Sequence, residues 1–578
     1  MADIRVRMQI RYASTRPAPG IDVQVNEVGG RSYEVGRTDA EGRIDAVLRP
    51  VRRRRILNKL RDDPLDRPLL DVVLSDQSGN RVHTPPVAVF VLPPHFAPPP
   101  PDEPPTVPAG PPGSPTMLAD AALVGALGNA APGWVFQVRR DGAVWADATR
   151  GRARDARLGT TARAMTNDTI IHLASMSKTI TAVAVAAMRD DWQAIARELA
   201  NLGQSNAHSV NLRLWVASTG SSSEVLVPRV FAPLFADRGQ AARFAPLLPA
   251  RSHVRRALER FANTAGLEVS PVPAVPPGHF GLLLRAMSGE PVPAWTDPFL
   301  PLILDRLGPS PTIGTGVGTI TIEDLITHRT DFAGRAPTTA LLTAAEQAAI
   351  QTVQPAGGAA RFDYWTFLRL LLREPAQRLS STSYGNNNYI LLTALIESCT
   401  ETGFDDYVTR RLFFDARFQR IRRRVVDTAA DALYYSGTPA NRIGGLRLSD
   451  YTAWPGDGGF YATANQLTEW LYVLHARRPV DGVVRRAPLL SASAIADLFG
   501  STGYFSLGIA SRAGPAAAAH RFQHNGGTTV NGGGMAGNVA VVLGPSGSVY
   551  TALFVANSSI PGGADPPFEA AIAALPWS

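Results

Sequence analysis

The length and composition of this chain exclude several classes of protein. At 578 residues, 45% of them hydrophobic, it is too long for one ordinary domain and can bury at least two cores. Its net charge of +8 comes from 57 basic and 49 acidic residues that are scattered along the sequence, so we expect no nucleic-acid partner.

The location of the protein is indicated only indirectly. The sequence has no run of about 18 consecutive apolar residues, so we expect no membrane span. Residues 1–12 lack the basic-then-apolar order of a signal peptide, and the single cysteine, Cys399, excludes an intramolecular disulfide. We therefore expect a cytoplasmic protein, with non-classical export as the alternative.

Residues 1–92 have the pattern of a small β-sandwich domain. Hydrophobic and polar residues alternate over residues 4–12, and further short β-branched runs are separated by turn-forming residues. Residues 36–44 are similar to part of the carboxypeptidase-regulatory or transthyretin-like domains. Residues 93–116 contain twelve prolines in twenty-four positions, which predicts an extended linker and a domain boundary.

The region from residue 117 to residue 578 has strand-like runs at both ends and a helical middle. A hairpin is predicted at residues 134–148, around the turn at Asp141 and Gly142. Further strands are predicted at residues 504–510, 537–543 and 549–556, followed by a helix at 567–575. This order predicts an antiparallel sheet packed by helices, in which the two ends of the region meet.

Lysine usage singles out one position in this region. Only Lys59 and Lys178 are lysines among the 57 basic residues. Arginine keeps its proton near neutral pH, whereas a desolvated lysine can lose it. Lys178 lies three residues after Ser175 and just before the apolar run 180–188, so both side chains share one face at a helix start. The pattern predicts a serine nucleophile beside an amine; a helix cap followed by a surface charge is the alternative.

A second polar motif lies about 200 residues later, again just before an apolar run. Tyr384 and Asn386 stand two apart at a predicted junction of loop and helix, from which both side chains can reach one cleft. The phenol could relay a proton, and the amide could hydrogen-bond the lysine and the substrate. The alternative is a half-buried aromatic residue beside helix-capping asparagines.

A third motif, His524-Asn525-Gly526-Gly527, is predicted to lie just before the final strands. Glycines allow the backbone to approach a ligand closely. The N–H groups of Gly527 and Ser175 could therefore bind an oxyanion, while His524 orients the substrate or the tyrosine. An ordinary glycine-rich turn is the alternative.

Taken in order, Ser-x-x-Lys, Tyr-x-Asn and His-x-Gly-Gly resemble the three signatures of the class C β-lactamase, DD-peptidase and family VIII esterase group. Residues 320–328, which end in Thr327 and His328, and residues 458–463 are similar to two further landmarks of that group. The resemblance covers residues 117–578. It implies an α+β (α/β sandwich) fold, with an antiparallel sheet flanked by helices and an all-helical lobe.

The resemblance also implies roles for single residues. Ser175 would attack a carbonyl carbon, Lys178 and Tyr384 would handle the proton, and the N–H groups of Ser175 and Gly527 would bind the oxyanion. The implied substrate-binding and orienting residues are Asn386, His524, Asn525 and Gly526. This chemistry needs no metal, and we expect no cofactor.

The sequence departs from the group's pattern in three places, and the first of them bears on the substrate. His524 stands where β-lactamases usually carry a lysine that binds a carboxylate, which favours an esterase, peptidase or amidase over a dedicated β-lactamase. Among their substrates, we expect carboxylic esters or small amides first. Residues 329–331 read Arg-Thr-Asp in place of the usual Thr-Ser-Gly. The interval between Ser175 and His328 is also unusually long, so we expect an inserted helical subdomain at about residues 190–294, which could roof the cleft.

The expected function is therefore a serine hydrolase whose partner is a small-molecule or peptide substrate. One alternative is a D-amino-acid peptidase that acts on peptidoglycan peptides, which would require export of the protein as an effector. Another is a penicillin-binding sensor protein without turnover. The sequence does not indicate which partner, if any, the N-terminal domain binds.

Overall fold

The computed structural model describes residues 111–128, 130–154, 163–202, 209–216, 218–332, 364–423, 431–436, 443–446, 456–476, 489–499, 520–530, 533–544 and 546–577, together with seven strands between residues 4 and 91. The strand predicted at residues 504–510 lies outside the described residues.

The seven N-terminal strands form two small sheets. They are β1 (Ile4–Arg11), β2 (Asp22–Glu27), β3 (Ser32–Arg37), β4 (Arg43–Leu48), β5 (Leu70–Ser75), β6 (Arg81–Thr84) and β7 (Val89–Val91). One sheet has the order β4-β1-β7 and the other β3-β2-β5-β6. The pairs are antiparallel except β1 with β7, which is parallel. The division of the chain into a sandwich domain, a linker and a hydrolase domain stays a prediction.

The rest of the chain combines strands and helices. The strands are β8 (Gly133–Arg140), β9 (Ala143–Arg154), β10 (Arg163–Ala164), β11 (Ile171–His172), β12 (Ser209–Val216), β13 (Ser221–Pro228), β14 (Leu267–Ser270), β15 (Tyr434–Ser436), β16 (Ile443–Leu446), β17 (Tyr461–Ala462), β18 (His520–Val530), β19 (Gly533–Leu543) and β20 (Val549–Ala556). The helices are α1 (Pro115–Leu127), α2 (Ser177–Ala200), α3 (Arg238–Phe244), α4 (His253–Asn263), α5 (His279–Met287), α6 (Ile322–Ile326), α7 (Tyr364–Arg373), α8 (Asn386–Thr400), α9 (Phe404–Arg411), α10 (Ala464–Ala476), α11 (Ala492–Phe499) and α12 (Asp565–Ala574).

A six-stranded antiparallel sheet with the order β10-β9-β8-β20-β19-β18 organises this region. β8 pairs with β20 from Trp134 opposite Ala556 to Arg140 opposite Tyr550. The beginning and end of the region therefore meet in the middle of the sheet, as the strand-like runs at its two ends predict. β18 lies at an edge of this sheet.

The two faces of the sheet bury different sets of side chains. Phe136 and Phe554 pack in a cluster with Phe568 of α12 and with α1. Their chain neighbours Val135 and Val555 belong instead to the large core that contains α2 and α8. This division follows from the alternation of side chains along a strand. The fold is thus α+β, a sheet flanked by helices, as predicted.

Helix α2 is buried on every side over its first three turns. All residues from Ser177 to Met188 are buried, and alanine, valine and isoleucine make up most of them. A helix that is apolar all round belongs in a core, and small side chains let its neighbours approach. The single cation in this stretch, Lys178, is 0% exposed.

The inserted segment differs from our expectation of a helical subdomain over the cleft. It contains α3 and α4, but also a three-stranded sheet with the order β13-β12-β14. Arg243 of α3 binds both oxygens of Glu401, at 2.6 and 2.8 Å, just beyond the end of α8. The first residue of α8 is Asn386, so at 1.5 Å per residue this contact lies about 22 Å along the helix from it. The described contacts place the insertion at the far ends of the core helices, and the expected roof over the cleft finds no support in them.

None of the helices in the described part of the chain combines the length and the hydropathy needed to cross a membrane.

Candidate functional site

Ser175 lies in a short 3-10 turn that leads directly into α2. The turn comprises Ala174–Met176, and Ser175 is partly exposed between two buried neighbours. Ala174 has a φ of 45°, in the left-handed region, which costs an L-residue roughly 1–2 kcal/mol. Its N–H donates to Nδ1 of His172 at 3.1 Å. The strained backbone of Ala174, held by its hydrogen bond to His172, thus places the serine hydroxyl at the cleft.

Lys178 occupies the first turn of α2 and has three hydrogen-bond partners. Its Nζ donates to Ser175 Oγ at 3.0 Å, to Asn386 Oδ1 at 2.8 Å and to the main-chain oxygen of Asp457 at 2.7 Å. The oxygens of Asn386 and Asp457 can only accept. When the ammonium loses a proton, the two remaining hydrogens can satisfy these two oxygens, which leaves the lone pair directed at the Ser175 hydroxyl.

The surroundings of Lys178 lower its pKa, so the ammonium can lose a proton near neutral pH. Burial lowers the pKa of Lys178 to about 8, against a smaller opposing effect of the Asp457 charge. Roughly a tenth of the molecules would therefore carry the neutral amine at pH 7. A lysine in this state can accept the serine proton, as the sequence pattern predicts.

Tyr384 reaches the same hydroxyl from the loop before α8. Its phenolic O–H donates to Ser175 Oγ at 2.6 Å, and Lys178 Nζ lies 4.9 Å from the centroid of its ring. Partial burial raises the pKa of Tyr384 to about 12, although the hydrogen bond to Ser175 acts in the opposite direction. The residue is therefore a neutral phenol near pH 7, suited to donate a proton rather than to accept one.

The structure thus brings together Ser175, Lys178, Tyr384 and Asn386, which are separated by up to 211 positions in the sequence. Both polar side chains that contact Ser175 Oγ point a donor at it, at 3.0 and 2.6 Å. An arrangement of hydroxyl, amine and phenol within hydrogen-bonding distance can activate a nucleophile and protonate a leaving group.

The third motif lies within β18 rather than in the turn that we considered. Gly526 packs against the serine turn: a Cβ at this position would lie 2.7 Å from Leu173 O and 3.2 Å from Met176 N. A side chain would push the edge strand away, so glycine permits the close approach. Gly527 follows on the same edge strand and pairs with Ala536. Its role in an oxyanion hole with Ser175 stays a prediction.

His524 lies on the same side of the sheet as the serine turn but is fully buried. Its Nδ1 lies 2.5 Å from the main-chain oxygen of Asn525, so Nδ1 carries the proton and Nε2 is an acceptor. The ring centroid is 6.4 Å from that of Tyr384. Burial, assisted by the charge of Lys178, lowers the pKa of His524 to about 3. The imidazole is therefore neutral at physiological pH.

The prediction that Asn525 contacts the substrate is wrong in this structure. Asn525 pairs with Asn538, which in turn pairs with Phe554 on the α12 face of the sheet. The side chains of Asn525 and Asn538 both donate to Asp565 Oδ1, at 3.4 and 2.7 Å. Because side chains alternate along a strand, Asn525 points away from the face that His524 and Gly526 share.

The sequence interpretation missed the contribution of Asp457. Its carbonyl oxygen binds Lys178, and burial raises the pKa of its carboxyl to about 6, while the charges of Lys178 and Arg423 act in the opposite direction. Asp457 directly precedes the Gly458-Gly459 pair that we noted as a landmark, so its position in the sequence was a signal. His328, the other landmark, stacks on Tyr384 with ring centroids 4.6 Å apart.

Within the described residues, no group of three or more histidine, cysteine, aspartate and glutamate side chains is placed to hold a metal ion. The candidate site is built from hydroxyl, amine, phenol and amide groups.

Comparison with known families agrees with this geometry. Residues 300–574 match the family model described as Beta-lactamase, which confirms the resemblance predicted from the sequence. Members of this family are serine hydrolases. The match includes Tyr384 and His524 and begins after Ser175 and Lys178, which precede the insertion. No curated protein matches the chain.

Several solved structures are similar to the chain at low identity. The octameric penicillin-binding protein homologue from Pyrococcus abyssi is 14% identical, with a TM-score of 0.44 over 78% of this chain and 74% of that one. A D-stereospecific amidohydrolase from Streptomyces sp. is 15% identical, with a TM-score of 0.42 over 79% and 98%. EstCE1, a hydrolase with promiscuous acyltransferase activity, is 13% identical, with a TM-score of 0.44 over 79% and 98%. At sequence identities this low, the substrates of these proteins cannot be assigned to this chain.

Proposed function

We propose that this chain, whose residues 300–574 belong to the β-lactamase family, is a serine hydrolase that cleaves carboxylic esters or small amides through an acyl-enzyme on Ser175. One observation carries the proposal. Ser175 Oγ lies 3.0 Å from a fully buried lysine amine and 2.6 Å from a phenol, at the start of the core helix.

In the first half of the proposed reaction, the neutral amine of Lys178 accepts the hydroxyl proton of Ser175 as Oγ bonds to the carbonyl carbon. The carbonyl oxygen becomes an anion, which the N–H groups of Ser175 and Gly527 would bind. The bond to the leaving group then breaks, and Tyr384 donates the proton that the leaving group needs. The proton that Lys178 has taken up returns to the tyrosine oxygen, so that the acyl-enzyme forms without net charge change.

In the second half, water attacks the acyl carbon and gives a proton to the same group of bases. The tetrahedral intermediate collapses, the acid is released, and Ser175 regains its proton. Asn386 holds Lys178 through its Oδ1 throughout, at 2.8 Å. Its position beside the amine and its exposure to the cleft support a second role for its amide N–H groups in binding the substrate.

The state of His524 supports an uncharged substrate. Its imidazole is buried, its Nδ1 is committed to Asn525 O at 2.5 Å, and its pKa of about 3 keeps it neutral. It therefore offers no positive charge to a terminal carboxylate. This favours esters and small amides over D-peptides that end in a free carboxylate and over penicillins.

Hydrolysis of p-nitrophenyl butyrate, compared with labelling by a fluorescent penicillin, tests the proposal. We expect ester turnover in the wild-type chain and its loss in Ser175→Ala. Ser177→Ala is the matched control, because this neighbouring serine is buried and accepts a hydrogen bond from the N–H of Phe460 at 3.2 Å. Turnover that survives Ser175→Ala would contradict the proposal, and stable penicillin labelling without turnover of either compound would indicate a binding protein.

A further inference from the structure

We propose that His328 is a positioning residue that holds Tyr384 against Ser175. This inference rests on the proposed function, in which the Tyr384 phenol serves the leaving group. No contact joins His328 to Ser175 itself, so its effect would pass through the tyrosine.

His328 binds the backbone on both sides of Tyr384. Its main-chain oxygen accepts from the N–H of Ser383 at 2.7 Å, and its Nδ1 accepts from the N–H of Gly385 at 3.2 Å. The residues before and after the tyrosine are therefore both hydrogen-bonded to the same residue. This double attachment fixes where the Cα of Tyr384 lies and in which direction its side chain leaves the backbone.

The imidazole also limits the rotation of the phenol. The rings of His328 and Tyr384 have centroids 4.6 Å apart, at an angle of 40°. On another side, the imidazole packs on Tyr389, with centroids 5.2 Å apart. Tyr384 is 46% exposed, so only part of its ring packs against neighbouring side chains. The contact with a fully buried imidazole is therefore important for its orientation.

The backbone of His328 has a conformation that suits few residue types. Its φ of 56° lies in the left-handed region, where asparagine, aspartate and histidine occur more often than other residues with a Cβ. The turn follows α6, whose start is fixed by reciprocal hydrogen bonds between Thr321 and Asp324. A histidine here combines a tolerated left-handed backbone with an acceptor nitrogen that reaches the N–H of Gly385 in the tyrosine loop.

The hydrogen bond from Gly385 requires a neutral imidazole, because a protonated ring has no acceptor. Burial, with smaller effects of the charges of Lys178 and His524, lowers the pKa of His328 to about 3. The proton of the neutral ring then lies on Nε2, which has no hydrogen-bond partner among the described residues. His328 thus acts by holding geometry and does not exchange protons in the working pH range.

Precise placement of the phenol matters because its bond to Ser175 Oγ is only 2.6 Å long. A displacement of about 1 Å at a reacting group can lower a rate by about a hundredfold. Loss of the imidazole would remove the hydrogen bond to Gly385 and the ring contact with Tyr384, while the main-chain bond to Ser383 remains. The tyrosine side chain would then sample positions away from the serine.

Two substitutions of similar shape separate the hydrogen bond from the volume of the side chain. His328→Asn keeps an acceptor at the position of Nδ1 and tolerates the left-handed backbone, whereas His328→Leu removes the acceptor. We expect kcat for p-nitrophenyl butyrate to fall about 10- to 100-fold in His328→Leu and clearly less in His328→Asn. The same order is expected for the rate at which a fluorophosphonate probe labels Ser175.

A Tyr384→Phe background tests whether His328 acts through the tyrosine. Once the phenolic oxygen is gone, His328→Leu should lower the acylation rate by about twofold or less, since residues that act as one unit are not additive. Equal factors in both backgrounds, or an unchanged rate in His328→Leu, would overturn the inference. Loss of rate in His328→Asn as large as in His328→Leu would overturn the role of the acceptor nitrogen.

His279→Leu is the control for a general loss of stability. This buried histidine contacts the oxygen of Val230 at 2.8 Å in the inserted segment, far from Ser175. Its substitution should lower the unfolding temperature without lowering the acylation rate. A wild-type chain in which the probe leaves Ser175 unlabelled would contradict the proposed function itself, whereas normal labelling of both His328 variants would contradict only this inference.

Discussion

The two ends of the core helices α2 and α8 hold different kinds of interaction. At their N-terminal ends, Lys178 is a buried cation that hydrogen-bonds no carboxylate within the described part of the chain, and the nearby Ala174 has a strained backbone. Toward their far ends, Arg411 binds both oxygens of Asp191 in the C-terminal half of α2, at 2.8 and 2.9 Å, and Arg243 binds both oxygens of Glu401 just beyond α8.

The arrangement around Lys178 lowers the free energy of unfolding, whereas the arginine–carboxylate pairs raise it. A buried lysine whose pKa falls from 10.5 to about 8 destabilises the folded state by about 3 kcal/mol at neutral pH. Bidentate pairs between arginine and carboxylate have favourable geometry and satisfy several donors at once. These ion pairs therefore stabilise the fold at a distance from the unfavourable arrangement around Lys178.

Replacing Lys178 should have the largest effect on activity. Lys178→Arg keeps the charge but cannot release a proton, and Lys178→Met removes the amine, so both should lower the rate of Ser175 acylation by about 10³- to 10⁴-fold. Lys178→Met should be at least as stable as the wild type, because an apolar side chain replaces a buried charge. Acylation by a fluorophosphonate probe and urea unfolding measure the two effects. An active Lys178→Arg variant would contradict the account.

Asn386, which contacts Lys178, and Asn525, which lies on the α12 face of the sheet, form a matched pair of positions for substitution. Asn386→Ala removes an acceptor of Lys178 and should lower the acylation rate about 10- to 100-fold, because hydrogen bonds to charged groups contribute about 1.5–3 kcal/mol. Asn525→Ala removes a side chain on the α12 face and should change the rate by about twofold or less. Steady-state kinetics with p-nitrophenyl butyrate measure both. Equal losses would place Asn525 at the site after all.

A substitution in the ion pair between Arg411 and Asp191 should change the free energy of unfolding and leave the acylation rate of Ser175 unchanged. Arg411→Met leaves Asp191 with the hydroxyl of Tyr407, at 3.1 Å, as its remaining partner in this cluster. The free energy of unfolding should fall by about 2–3 kcal/mol, somewhat less than for a completely buried pair. Urea unfolding measures this loss, and the acylation rate of the folded variant should equal that of the wild type. An Arg411→Met variant that is as stable as the wild type but acylates Ser175 more slowly would contradict this assignment of roles to the two regions.

Asp457→Asn should change the pH dependence more than the maximal rate. Above its pKa of about 6 the carboxyl is charged and favours the protonated form of Lys178. Without that charge the pKa of Lys178 falls, so the rise of the acylation rate with pH should begin at a lower pH. Asp565→Asn, on the α12 face, should leave the profile unchanged. A shift to higher pH would contradict the electrostatic role of Asp457.

The sequence predicted those parts of the site that depend on local geometry. Ser175 and Lys178 are three residues apart at a helix start, and helical geometry alone brings such a pair together. The convergence with Tyr384 depends on long-range packing, and only the order of motifs along the chain indicated it. The strands β8 and β20 were predicted within one or two residues, because both are rich in β-branched and aromatic residues and adjoin clear turn signals.

Other features were not predictable, for identifiable physical reasons. Asn525 was assigned to the substrate because the resemblance implies that role for the whole motif, whereas in a strand alternate residues face opposite sides. Asp457 contacts Lys178 through its carbonyl oxygen, which every residue type possesses. The contact of the insertion with the far end of α8, through Arg243 and Glu401, was not predictable either, because no local pattern indicates a partner 158 positions away.

The pH dependence of Ser175 acylation by a fluorophosphonate probe tests the central claim most directly. If Lys178 is the base, the rate constant should rise tenfold per pH unit below about pH 8, level off above it, and lose this dependence in Lys178→Arg. A profile that keeps rising toward pH 12 would assign the base to Tyr384, and a label on a residue other than Ser175 would contradict the account altogether.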